Sequence, residues 1–328
     1  MALIGASLTA MVLGLSFFSI AAAMEQVNVA TPSYGLVELP IVVAMRNGYF
    51  RSERLEIQKI QVEPEVAVKA LLAGEVSFNL AWEASVRAAI SGLPVKVIAA
   101  LVLRPLHVLL SRPEIRSGKE LRGKTLAIDA FSSTTDYLSR VAVRYLGVEP
   151  DTNVGFVEIG NSALRLAALK AGEIHAGTFD MTSAVKAEEQ GLKRLVQIGD
   201  IIDYPVLGVA VAGAQLAKHR EQTSKFIRAI LRGARFIKQN RTETIRIIER
   251  YLKITPSQAT KSYDSAVGYF TGDGLISDRV LAFAVRRARE ELPFSGDTAL
   301  SEVADWSIAR EIMAERRKIP FWLKQYDP

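Results

Sequence analysis

The chain has 328 residues, 49% of them hydrophobic and 23% charged, a composition that belongs to folded globular proteins and excludes disorder. At about 150 residues per domain, this length suggests two domains. Lys plus Arg number 41 against 35 Asp plus Glu; an excess this thin with no dense basic run is not a nucleic-acid footprint, and the absence of cysteine excludes disulfides, thiolate metal sites and a Cys nucleophile.

No charged residue occurs from Met1 to Met24, and the stretch LTAMVLGLSFFSIAAA ends in Ala21-Ala22-Ala23. An apolar core followed by small residues in A-x-A spacing predicts a secretory signal cleaved near Ala23, hence a periplasmic protein. No Lys or Arg precedes the run, so an uncleaved membrane anchor is the alternative. With no Cys after the signal, lipid anchoring is excluded.

After the signal, Val27 to Ala30 reads as a strand, followed by the turn-rich Thr31-Pro32-Ser33-Tyr34-Gly35. A helix from about Leu39 to Arg46 stops at Asn47-Gly48, a favoured C-terminal signal. Then come a strand over 56–62, a helix over 65–73 closed by Gly74, a strand over 76–80, a helix over 83–90 and a strand over 95–103. The same order returns about 98 residues later. Ala70-Leu71-Leu72-Ala73-Gly74-Glu75-Val76 falls on Ala168-Leu169-Lys170-Ala171-Gly172-Glu173-Ile174, and Val43-Ala44-Met45-Arg46 falls on Val141-Ala142-Val143-Arg144. The shared phase of these matches implies two lobes on one plan. Strands alternating with helices imply mainly parallel sheets wrapped on both faces, so each lobe is α/β. His107 to Ser111 and Val206 to Val211 have little helical period and are expected as paired hinge crossovers between the lobes. The remainder, from about Gln215 to Lys318, reads as helical and is expected to pack on lobe one. Lobe one is thus residues 24–105 plus 206–328, and lobe two 106–205.

In an open α/β sheet, ligands sit beyond the carboxyl ends of the strands. The loops there are Thr31 to Leu36, Leu80 to Glu83, Asp129 to Thr135 and Thr178 to Met181. Tyr34, Trp82, Phe131 and Phe179 put one aromatic ring in each, which suits the apolar body of a small ligand. Ser132-Ser133-Thr134-Thr135 stands at a helix start, where hydroxyls and N–H groups either hold an oxyanion or simply cap the helix. Ser33 lies in the first loop. Glu83 and Asp180 either cap their helices or receive a ligand amine or ring N–H. Arg104, at the end of the last lobe-one strand, either pairs with an anionic group or is a solvated hinge residue. No catalytic constellation emerges: His107, His175 and His219 have no nucleophile or carboxylate at a suggestive spacing, and neither G-x-G-x-x-G nor G-x-x-x-x-G-K-[ST] occurs. No metal site and no cofactor are expected.

Met45-Arg46-Asn47-Gly48-Tyr49-Phe50 and Leu55-Glu56-Ile57 resemble the opening of the substrate-binding proteins of ABC importers, in their nitrate/sulfonate/taurine and thiamine-precursor-like subgroup. Ala73-Gly74-Glu75-Val76-Ser77-Phe78, Gly92-Leu93-Pro94-Val95, Leu121-Arg122-Gly123-Lys124-Thr125-Leu126 and Tyr251-Leu252 continue the resemblance over nearly all of the chain after the signal. It implies a periplasmic binding protein-like type II fold. It also implies a monomer that closes on a small anionic or aromatic/heterocyclic solute and delivers it to a membrane permease driven by an ATPase, with no nucleic-acid partner. The family's loop positions fall on Tyr34, Trp82, Phe131 to Thr134 and Phe179-Asp180. Ser77 and His175 stand where the family has acidic residues, and Phe131-Ser132 replaces its Gly-Ser. A ligand-sensing domain on the same lobes is the second reading. An enzyme of pyrimidine or thiamine-precursor metabolism is the third, and its Cys-rich motif is absent.

Overall fold

The computed structural model describes residues 23–290, 292 and 298–318; the apolar run expected as a signal lies outside the described residues. The first half of the chain folds as β1 (Glu25–Thr31), α1 (Leu39–Arg46), the single turn α2 (Tyr49–Ser52), β2 (Leu55–Gln61), α3 (Pro64–Ala73), β3 (Phe78–Ala81), α4 (Trp82–Ile90) and β4 (Val95–Val102). A second set follows: β5 (His107–Ser111), β6 (Lys124–Ile128), α5 (Thr134–Tyr145), β7 (Val154–Glu158), α6 (Ser162–Ala171), β8 (Ala176–Asp180), α7 (Met181–Glu188) and β9 (Lys193–Gln197). After β10 (Leu207–Ala212) the chain is helical: α8 (Gly213–Lys218), α9 (Arg220–Gln239), α10 (Arg241–Leu252), α11 (Pro256–Ala266), α12 (Asp278–Glu290), α13 (Leu300–Val303) and α14 (Ser307–Lys318).

Two five-stranded sheets result, ordered β2-β1-β3-β10-β4 and β7-β6-β8-β5-β9. In each, four strands run one way and the fourth position holds a strand running against them, β10 in the first sheet and β5 in the second. The sequence repeat is a structural one. Val27 pairs with Ile57 and Leu126 with Phe156, so the first two parallel strands of each sheet share one register. α3 and α6 both end on a left-handed glycine, Gly74 at φ 77° and Gly172 at φ 83°, a conformation open to residues without Cβ.

The two stretches expected as crossovers are instead the reversed strands themselves. β5 is buried apart from His107, and β10 apart from Ala212. Positions covered on both faces need continuous apolar runs, which carry no period to distinguish strand from linker. The passage between sheets is made by residues 103–106 and 198–206, which join β4 to β5 and β9 to β10.

α9 carries Phe226, Ile227, Ile230, Leu231, Ala234 and Ile237 at helical spacing, all fully buried. It lies on α1, while α12 packs on α4 and α14 on α9 and β4. Phe226 stacks on Phe78 with ring centroids 3.8 Å apart. In addition to this packing on the first sheet, α11 reaches the second lobe: it lies on α7, and Lys261 and Gln258 both bond Glu189. Among the described residues no helix is long and apolar enough to cross a membrane.

Candidate functional site

A cavity of about 470 Å³ lies between the lobes, walled by Pro32 to Val37 and Ala81 to Ala84 on one side and by His107, Asp129, Thr134, Thr135, Asp180 and Met181 on the other. These are the ends of β1 and β3 in the first sheet and of β6 and β8, with the start of β5, in the second.

β3 passes into α4 without a loop. Asn79 makes the turn: its Oδ1 accepts the Ala81 N–H at 2.9 Å and its Nδ2 donates to Ser85 Oγ, whose own hydroxyl donates to Ala81 O. Trp82 and Glu83 therefore fall in the first helical turn, against the cavity. Trp82 is 1% exposed, and its Nε1 is buried without an acceptor among the described residues. The Cε3–Cζ3 side of the indole lies against Gly208, where a Cβ would stand 2.6 Å from Cε3. β8 passes into α7 in the same way, with Asp180 Oδ1 capping the Ser183 N–H at 3.0 Å.

The Tyr34 loop is held by the helical part of the chain that follows β10. The Tyr34 hydroxyl donates to Tyr251 O on α10, and the two rings lie 4.7 Å apart. The Tyr251 hydroxyl donates to Glu38 at 2.6 Å, and Lys59 donates to the same carboxylate at 2.5 Å. Burial and the Glu38 charge push the Tyr251 hydroxyl far up in pKa, so it remains a donor.

The hydroxyl run at α5 is satisfied from within. Ser133 caps the helix by accepting the Asp136 N–H. The Ser133 and Thr135 hydroxyls and the Ala130 N–H all donate to Asp129. Ser132 N–H donates to Asp136 at 2.9 Å, and Phe131 N–H donates to Glu158. Burial opposes the charge on Asp129, but the hydroxyls of Ser133 and Thr135, the Ala130 N–H and nearby Arg165 outweigh it and hold this carboxyl below its ordinary range. Thr134 alone reaches across the cleft, donating to Glu83 at 2.8 Å.

Of the residues expected in the site, Ser33, Tyr34, Trp82, Glu83, Thr134 and Asp180 line the cavity; Arg104, Phe131, Ser132, Ser133 and Phe179 do not. Arg104 pairs with Asp203 at 2.8 Å. Phe131 is 52% exposed, whereas Phe179 is fully buried in the second sheet's core. Ser132 adopts φ 61° and is exposed, because its N–H turns inward to Asp136.

Three ionisable lining residues were not assigned to the site from the sequence. Asp129 directly follows β6, near where Thr31 closes β1, a cue the repeat offered. Arg87 lies one turn after Glu83, and its guanidinium meets Glu83 at 3.4 Å and Glu65 at 2.7 Å. His107 opens β5 opposite Asp180, which no local pattern announces. Burial lowers the His107 pKa, Asp180 and Asp129 oppose that, and Arg165 reinforces it; Nδ1 is buried without a partner among the described residues. Among those residues no group of three or more His, Asp or Glu is placed to hold a metal ion.

Residues 37–244 match the family described as NMT1/THI5 like, more than half of the chain. The chain belongs to the NMT1/THI5-like family. Riboflavin-binding protein RibY of Chloroflexus aurantiacus is 28% identical over 219 residues, covering 64% of this chain and 62% of RibY. The chain thus matches less than two thirds of that relative's length. The periplasmic aliphatic sulphonate binding protein SsuA from Escherichia coli superposes with a TM-score of 0.69 at 15% identity, over 81% of this chain and 91% of SsuA. The desulfurization enzyme DSZB does so with 0.67 at 11% identity, over 89% of this chain and all of DSZB. The fold of this NMT1/THI5-like chain is that of periplasmic binding proteins, and within that fold both binders and an enzyme occur.

Proposed function

We propose that the chain is the solute-binding component of an ABC importer, acting outside the cytoplasm: it captures a small, ring-bearing organic solute between two lobes, residues 24–105 plus 206–328 and residues 106–205, and presents it to a membrane permease. The observation that carries this reading is a cavity furnished by both lobes and bridged by the Thr134–Glu83 hydrogen bond. A solute held there touches both walls at once, so it binds the closed arrangement better than an open one and shifts the population toward closure. Ser33, Tyr34, Trp82, Glu83, Thr134 and Asp180 are the contacts from the original set, joined by Asp129 and His107.

Binding is favoured over turnover by the state of the hydroxyls. A serine or threonine nucleophile needs a base of sufficient strength within hydrogen-bond reach, and His107 has no hydroxyl on its buried Nδ1 among the described residues. The base that Ser133 and Thr135 do reach is Asp129, whose carboxyl is held below its ordinary range and is therefore a weak one.

Thermal unfolding with a panel of ring-bearing solutes, riboflavin first, tests the reading. A true ligand at about 100 times its Kd stabilises the native state by about 2.7 kcal/mol, several degrees for a chain of this size. Mass spectrometry of the recovered solute should find it unchanged. A chemically altered solute would replace the binding reading with the enzymatic one.

A further inference from the structure

We infer that α10 and α11 form a strap outside the cavity that couples its two walls, and that Glu189 of the second lobe and Tyr251 of the first are positioning residues for the Tyr34 loop, although neither lines the cavity. The coupling is a property of the helices, whatever solute the cavity takes.

The two helices make one rigid hairpin. Arg241, the first residue of α10, donates from Nε and Nη2 to the two carboxylate oxygens of Asp264, near the end of α11, at 3.0 and 2.8 Å. A bidentate pair of this kind fixes orientation as well as distance. At the bend, Thr255 and Gln258 cap α11 reciprocally: Thr255 Oγ1 accepts the Gln258 N–H, and Gln258 Oε1 accepts the Thr255 N–H.

The root of the hairpin is fastened to the passage between the sheets. Three residues after α11, Tyr269 O accepts the Leu103 N–H at 2.8 Å, and the Tyr269 hydroxyl donates to Asp200. Gln197 Nε2 donates both to that hydroxyl and to Ser265 O. The Tyr269 ring lies so close to Gly199 that a Cβ there would have no room. Both connections between the sheets therefore hold the same residue.

The bend end touches both walls. Tyr251, next to last in α10, accepts the Tyr34 hydroxyl on its carbonyl, packs its ring against that of Tyr34 and donates its own hydroxyl to Glu38. In the first two turns of α11, Gln258 and Lys261 donate to the two oxygens of Glu189 at 2.8 and 2.9 Å. Glu189 closes α7, the helix whose cap Asp180 and first residue Met181 line the cavity. Coupling between separated groups is carried by packed elements and hydrogen bonds, and this chain of them is continuous from α7 to Tyr34. With the root held at the passage, a shift of α7 moves the bend, and the bend moves Tyr34.

Amide hydrogen exchange of the full chain without ligand, read on peptides covering residues 32–39, tests the coupling. The Glu38 N–H is bonded to Gly35 O and the Leu39 N–H to Leu36 O, so loosening of the loop registers there. Glu189 is exposed, and Glu189→Ala cuts both contacts without opening the core. It should speed exchange at 32–39 by about threefold, the scale of bonds that solvent partly screens. Lys261→Met, which cuts one contact from the side of α11, should do so by less. Tyr34→Phe frees the loop from the strap, so adding Glu189→Ala to it should bring no further increase. An unchanged rate at 32–39 in Glu189→Ala, whatever happens at 181–189 and 256–266, would overturn the inference. Effects of Tyr34→Phe and Glu189→Ala that multiply in the double variant would overturn it as well.

Discussion

Trp82 and Asp180 stand at the strand-to-helix junctions of the two lobes, where neither helix is preceded by a loop. Trp82 is the first residue of α4, directly after the last residue of β3, and Asp180 is the last residue of β8 and the cap of α7, so the two are one position apart in the repeat. The backbones agree, and the chemistry is opposite. Lobe one sets a buried indole beside the cleft; lobe two offers a carboxylate that caps its own helix. The neighbouring loops diverge in the same sense. Tyr34 is tied down by Tyr251 on α10, far along the chain in the same lobe, whereas the loop from Asp129 to Thr135 is tied down by carboxylates of its own lobe, Asp129, Asp136 and Glu158. The repeat therefore fixes where side chains stand and leaves open what they are.

The sharpest way to break the comparison is through the glycines behind each wall. A Cβ on Gly208 would stand 2.6 Å from Trp82 Cε3 and 2.7 Å from Ala99 O, and neither a strand backbone nor a fully packed indole can give way. A Cβ on Gly177 in lobe two would meet Phe179 at 3.2 Å and Ala127 O at 3.3 Å. Gly208→Ala should cost about 1–3 kcal/mol by overpacking and shift tryptophan fluorescence. Gly177→Ala should cost less. Urea unfolding of both variants measures the difference, and equal losses would show that the two walls are equally tight.

The second prediction concerns lobe two alone. The Asp129 pKa is depressed in the folded chain, so its ionised form contributes stability above the unfolded value of about 3.9, and that contribution is lost as pH falls through the lower folded value. Asp129→Asn should therefore lower stability at neutral pH by about 1 kcal/mol and flatten the loss below pH about 4. Thermal unfolding from pH 7 down to pH 3 follows the curve. An acid limb as steep as the parent's would assign it to other carboxylates.

How much of this was legible in sequence follows the same division between scaffold and chemistry. Element type and order were readable because apolar periodicity and the glycines after α3 and α6 act locally. The reversed strands were not: β5 and β10 are buried on both faces, so no alternation marks them, and each pairs with strands distant in the chain. Tyr34, Trp82, Glu83 and Asp180 were legible because strand ends lead to the cleft in any such sheet. Phe179 was misplaced because its strand is central in the sheet, covered on both sides. The hydroxyl run at α5 presented the bare donors of a helix start, but the acceptor for Phe131 N–H is Glu158, 27 residues away on β7.

The third prediction turns on the Thr134–Glu83 hydrogen bond, which joins the two walls of the cavity. Thr134→Val keeps the shape and removes the hydroxyl that reaches Glu83. Closure should weaken by about 1 kcal/mol, so small-angle scattering of the ligand-free variant should give a larger radius than the parent, while its unfolding midpoint barely moves. An unchanged radius would mean that packing, not this bond, sets how the lobes meet.

The smallest effect is expected at Arg104. The residue stands at the exit of β4, where a cation could have faced an anionic ligand, yet it points to Asp203 with both side chains about two-fifths exposed, and it lies outside the cavity lining. Exposed ion pairs contribute about 0–1 kcal/mol, because solvent screens the attraction and ordering two long side chains costs entropy. Tyr269, whose ring lies 5.9 Å from the guanidinium, keeps its own bonds to Gln197 and Asp200 when Arg104 is removed, so the passage between the sheets stays tied. Arg104→Ala should therefore leave ligand affinity unchanged within error and stability within about 0.5 kcal/mol. Calorimetric titration of that variant with a verified ligand is the measurement. A tenfold loss would bring Arg104 back into the site.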